Sequence, residues 1–139
     1  MFICPLCHQT LVLPHQVHTC SNKLLNNFLL GKSPHSVELF WYFIQAYQQV
    51  GTVSIGPTKS MVGIASTKSI AWVIKLGKDF IDIVFPFAEA YKDNLCFHKI
   101  AQVPGQQQFN HHFRMCSKDD INDEVRNFME LALYKSNAN

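Results

Sequence analysis

The apolar positions of this chain change period near residue 52, and that change divides it into two kinds of structure. Before it the spacing is helical. Leu24, Leu25, Phe28 and Leu29 recur at helical intervals, and Gly31 stops that short helix because glycine enters the left-handed region without steric cost. Ser33 then stands as an N-cap, with Pro34 at the first helical position, where a backbone donor is not needed. The helix that follows carries Val37, Phe40, Trp41, Ile44 and Tyr47, with a second row at Leu39, Phe43, Ala46 and Val50. So wide a stripe predicts burial on more than one side, and Gly51 is its stop.

From Thr52 onward the period is two. Residues 52–55 read as a short strand ended by Gly56-Pro57, and residues 61–66 as a second. Ile70, Trp72, Ile74 and Leu76 alternate as one face of a third. Gly77-Lys78 predicts a two-residue hairpin, and the return strand puts Ile81, Ile83 and Phe85 on one face, Asp82 on the other, before Pro86 closes it. After a loop over 88–95, strands are expected at 96–101 and 109–116 around a Pro104-Gly105 turn. The last directs Phe109, His111, Phe113 and Met115 one way, and Asn110, His112, Arg114 and Cys116 the other. Ser117 with Asp120 has the spacing of a capping box, opening a helix along Ile121, Val125, Phe128, Met129 and Ala132.

The expected architecture is therefore α+β: an antiparallel meander with two long helices packed on one face, preceded by a small N-terminal segment. The divisions are 1–22 for that segment, 23–135 for the α+β domain and 136–139 for a frayed tail.

Composition narrows the class more than the function. A chain of 139 residues, 47% apolar and only 16% charged, can bury a real core and is not a disordered tail. A net charge of +2 gives no nucleic-acid footprint by itself, although a local basic patch is compatible with it. The first residues lack a basic leader region, and Lys75, Lys78, Asp79 and Asp82 interrupt the most apolar tract, so neither a secretory leader nor a membrane span is expected. An odd cysteine count of 5 suits a reducing compartment, and the cytoplasm is the expected location.

Candidate chemistry is concentrated at the N-terminus. Cys4 and Cys7 have C-x-x-C spacing, and His18 with Cys20 supplies a second pair after ten intervening residues. Two thiolates in a knuckle, faced by an imidazole and a third thiolate, suit tetrahedral Zn2+. Four side-chain donors fill the tetrahedron, so the zinc is structural rather than catalytic. His8 and His15 compete with His18 for the nitrogen position.

These marks, with Cys4-Pro5-x-Cys7, His18-x-Cys20, Gly51 before a Val/Ile strand, Pro57-x-Lys59 and Asn110-His111-His112-Phe113-Arg114, give the chain its likeness to a family. It resembles the bacterial family catalogued as domain of unknown function five-six-five-five over nearly its whole length. The resemblance implies a zinc segment and an α+β domain, and it implies no activity.

Lys59, His111, His112 and Arg114 are the candidate ligand-binding residues of the main domain. His111 faces the core side, either as a hydrogen-bonded packing residue or as the acid–base group of a pocket. His112 and Arg114 face the other way and would form an anion-binding patch if Lys59 lies near. No nucleophile elbow, phosphate-cradling glycine loop or carboxylate pair is present. The first reading is a non-catalytic zinc-containing module that recognises a protein or nucleic-acid partner. The alternative is a small-molecule binder or enzyme with a pocket between sheet and helices, using His111 with Lys59 or Arg114.

Overall fold

The computed structural model describes residues 2–3, 10–11 and 23–137. The expected zinc ligands Cys4, Cys7, His18 and Cys20, with His8 and His15, lie outside the described residues. Two short strands, β1 (Phe2–Ile3) and β2 (Thr10–Leu11), pair antiparallel, Phe2 opposite Leu11 and Ile3 opposite Thr10.

Helix α1 (Lys23–Leu29) ends at Gly31, whose φ of 75° is the left-handed turn expected of it. Helix α2 (Pro34–Val50) starts as its sequence dictates: Ser33 is extended, and its Oγ accepts from the Ser36 N–H at 3.1 Å. Nine of its residues are buried, among them Phe40, Trp41, Phe43, Ile44 and Tyr47.

Six strands then form one antiparallel sheet: β3 (Ser54–Pro57), β4 (Val62–Ala65), β5 (Ser69–Leu76), β6 (Ile81–Phe87), β7 (Phe97–Gln102) and β8 (Phe109–Met115). Their spatial order is β3-β4-β5-β6-β8-β7. The meander expected from the sequence holds through β6 and then fails. The connection over 88–96 is long enough to step across one strand position, and β8 returns into the gap to pair with both β6 and β7.

The hairpin between β5 and β6 also differs from expectation. Gly77 donates to the Phe80 carbonyl at 2.8 Å, so Lys78-Asp79 form the tip. Gly77 is needed for space instead: a Cβ there would lie 2.5 Å from the Phe80 ring. At the C-terminal end, Asp120 accepts from the Cys116 and Ser117 N–H groups at 2.7 and 3.0 Å, but this closes only a 3-10 turn, Lys118–Asp120. Helix α3 (Asp123–Asn137) begins later, with Asn122 Oδ1 accepting from the Val125 N–H at 3.0 Å, and it runs into the stretch expected to fray.

Helices α2 and α3 lie against β5, β6 and each other, covering one face of the sheet. Trp41, Phe43, Tyr47, Ile83, Phe85, Phe113 and Met129 belong to that core. The buried Tyr47 hydroxyl donates to the Met129 carbonyl at 2.8 Å, a polar tie between the helices that burial makes strongly resistant to ionisation. The α+β class is as expected.

Candidate binding face of the sheet

The expected site residues fall on different parts of this sheet. Lys59 is exposed at the β3–β4 turn, whereas His112 and Arg114 are on β8. β5 and β6 stand between β4 and β8, which puts about 14 Å between them at ~4.8 Å per strand step. Lys59 therefore does not join the other two in one clamp.

His111 is on the helix side, as alternation predicts, and is fully buried. Both ring nitrogens are occupied. Nδ1 lies 2.9 Å from the Phe109 carbonyl, and Nε2 lies 3.0 Å from the backbone N–H of Tyr91. A carbonyl can only accept and an N–H can only donate, so the ring is neutral with its proton on Nδ1. Phe87, Tyr91 and Phe97 surround it, with centroids at 5.1, 5.5 and 4.9 Å. Burial lowers its pKa from the ordinary 6.5, and the bond to the Phe109 carbonyl offsets part of that. In this arrangement His111 ties the 88–96 connection to β8.

The other face of the sheet carries a different set of side chains. One row crosses all six strands in register: Gly56, Gly63, Trp72, Val84, His112 and Lys99. Beside it runs Lys75, Asp82 and Arg114. Arg114 donates from Nε and Nη2 to the two Asp82 oxygens at 2.9 and 3.1 Å. Its guanidinium carbon stacks 4.0 Å from the Phe80 ring centroid, and Lys75 Nζ lies 5.7 Å from the same centroid. The Asp82 hydrogen bond raises the Arg114 pKa further, so the charge is fixed, but two of its donor groups are already used.

At the β7 end the exposed His98 and Lys99 stand beside half-buried His112, with the two imidazole centroids 6.1 Å apart. Burial first, then the charges of Lys99 and His98, lowers the His112 pKa from 6.5. Asp82 is the one acid among the described strand residues facing this way, against Lys75, Lys99 and Arg114. The face is cationic and partly aromatic.

Trp72, Phe80, Lys75, His98 and Lys99 were not legible as site residues from strict alternation. β5 has register shifts against β4 after residue 69 and against β6 between Val73 and Lys75. These let Ile70, Ala71, Val73 and Leu76 all be buried while Trp72 turns outward. A third shift between Phe97 and Lys99 brings His98 and Lys99 both to the surface. The available signal was the Ala71/Val73 frame, which competes with the Ile70/Trp72/Ile74 one.

The two thiols of the main domain stand in different surroundings. Burial and the adjacent Glu124 carboxylate, which accepts from the thiol, push Cys96 up to about 12. Cys116 is exposed, and its carbonyl accepts from His35 Nε2 at 2.9 Å. Among the described residues, recesses of about 290, 270 and 210 Å³ lie at the surface, and His111 lines none of these. Among the described residues no cluster of three metal-ligating side chains occurs, and no helix is long and apolar enough to cross a membrane. In comparisons with known proteins the chain matches no family model, no curated protein and no solved structure.

Proposed function

We propose that this protein is a non-catalytic binding module, in which a zinc-pinned N-terminal segment is joined to an α+β domain whose open sheet face receives a protein or nucleic-acid partner. The observation that carries this reading is the contrast between the two faces. On the helix-covered side the buried His111 has both ring nitrogens committed to backbone groups, and it lines neither of the recesses that open there, one beside Phe87 and Ala132 and one beside Phe113 and Glu124. The opposite side presents cations and aromatic rings, and its one carboxylate among the described strand residues, Asp82, is already paired.

The rival small-molecule reading asks for His111 in a wet cleft with Lys59 or Arg114 beside it. Its geometry is unfavourable here, because Lys59 is three strand steps from β8 and Arg114 lies in the opposite layer, bound to Asp82. Among the described residues, none of those surface recesses is lined by His111 together with Lys59 or Arg114.

The zinc half of the reading rests on donor chemistry and on one structural relationship. Cys4 and Cys7 belong to the six residues between β1 and β2, and the pairing of Ile3 with Thr10 brings the ends of that segment together. Cys4, Cys7, His18 and Cys20 would hold one structural Zn2+, coupling metal binding to the folding of a stretch with little core of its own.

Retention on immobilised heparin tests the binding face. Lys75→Gln with Lys99→Gln should elute at lower salt than the parent while still unfolding cooperatively, since both side chains are exposed and neither substitution sets a like charge against Asp82. Equal retention of the two proteins would contradict the reading.

A further inference from the structure

The open face contains one feature that a generic cationic surface does not need. Gly56 and Gly63 sit opposite each other on β3 and β4, facing outward, and together remove two side chains from the β3 edge of the face. The Trp72 indole borders the gap: a Cβ on Gly63 would lie 3.4 Å from its Cδ1 and 3.6 Å from its Nε1. A Cβ on Gly56 would meet nothing within 4 Å. The result is a shallow trough of about 210 Å³, bordered by Ser54, Thr58, Ala65 and Trp72. One side of it is an indole.

We propose that this trough is a subsite for one base of a single-stranded nucleic acid, whose phosphates run across the sheet toward Lys75, His112 and Lys99. The inference rests on the binding-module reading and names its partner. Trp72, Val84, His112 and Lys99 occupy successive positions in one row, so Lys99 lies about 14 Å from Trp72 at ~4.8 Å per strand. That distance suits two or three consecutive nucleotides laid over a sheet, the usual reach of sheet-based single-strand recognition. A duplex keeps its bases stacked inside and cannot place a ring in a trough this shallow. An acidic peptide matches the charge but gives no reason for a glycine floor beside an indole.

Anisotropy with a labelled thymidine dodecamer, an equivalent duplex and poly-glutamate separates these partners. The single strand should bind tightest and quench the Trp72 emission. Gly56→Leu fills the trough where the fold has free space, and should weaken binding at least 10-fold with unchanged thermal stability. Trp72→Ala should weaken it by roughly 5- to 150-fold, the range of one lost stacking contact. Lys75→Gln with Lys99→Gln should lower the salt dependence by about 1.4 in log–log slope, at ~0.7 per single-strand phosphate contact. A Gly56→Leu variant binding the single strand as well as the parent would overturn the subsite, whatever Trp72→Ala does to folding. Binding of poly-glutamate alone, lost in the double lysine variant, would overturn the nucleic-acid partner and leave the face a binding surface. Binding of none of the three would overturn both.

Discussion

The backbone N–H of Tyr91 donates to Nε2 of His111 at 3.0 Å, across twenty residues of chain. This bond fastens the connection that steps over β8, and it explains why a histidine stands among Phe87, Tyr91 and Phe97. Phenylalanine has the right size for the site but cannot accept from Tyr91. His111→Phe should therefore destabilise the fold by about 1–3 kcal/mol, the cost of a buried donor left unpaired. Chemical denaturation of the two proteins measures it, and a variant as stable as the parent would show that Tyr91 finds another acceptor.

The same histidine sets a pH dependence. His111 and His112 have folded pKa values below 6.5, so between those values and 6.5 the unfolded chain binds more protons than the folded one. Stability from both groups is complete above about 6.5 and is lost as pH falls through the folded values. The melting temperature should be flat from about pH 8 to 7 and fall toward about pH 5, less steeply in His112→Gln. A melting temperature that rises on acidification would have the wrong sign for this account.

Gly77 and Phe80 give a third expectation. An alanine methyl at residue 77 would meet the Phe80 ring at 2.5–2.9 Å, forcing the ring away from the Arg114 guanidinium it supports. Gly77→Ala should cost about 1–3 kcal/mol through this overpacking, although the backbone there is not left-handed. A neutral outcome in thermal melting would mean that the ring moves without loss.

Much of the fold was legible because its signals were local. Ser33-Pro34 and Gly31 punctuate the helices by backbone chemistry that needs no tertiary partner. The order of the last strands was not legible, since β8 enters between β6 and β7 through pairing far apart in sequence. The site was half legible. Alternation placed His111 inward and His112 and Arg114 outward correctly, but it could not anticipate the register shifts that turn Trp72 and Lys99 to the open face. The bond to Tyr91 was equally invisible, because nothing in a loop sequence announces which side chain will accept its N–H.

Metal removal tests the N-terminal segment separately. Purified protein should contain about one zinc per chain, and Cys4→Ser with Cys7→Ser should lose it. The described core of α2, α3 and the sheet is built from apolar residues between Leu25 and Ala132, and its unfolding transition should persist after chelation. Zinc-free protein with the N-terminal segment as resistant to proteolysis as before would contradict a metal-held segment.

Where a polyanion lands on the molecule tests the central assertion most directly. Amide and side-chain NMR shifts during titration with a heparin oligosaccharide should move the Trp72 indole N–H, the His112 ring and the amides of Lys75, Lys99 and Arg114. Signals from α2 and α3, on the far side of the sheet, should stay in place. Shifts concentrated instead on α3, or around Lys68 and Gln107, would contradict the assignment of the open sheet face as the working surface.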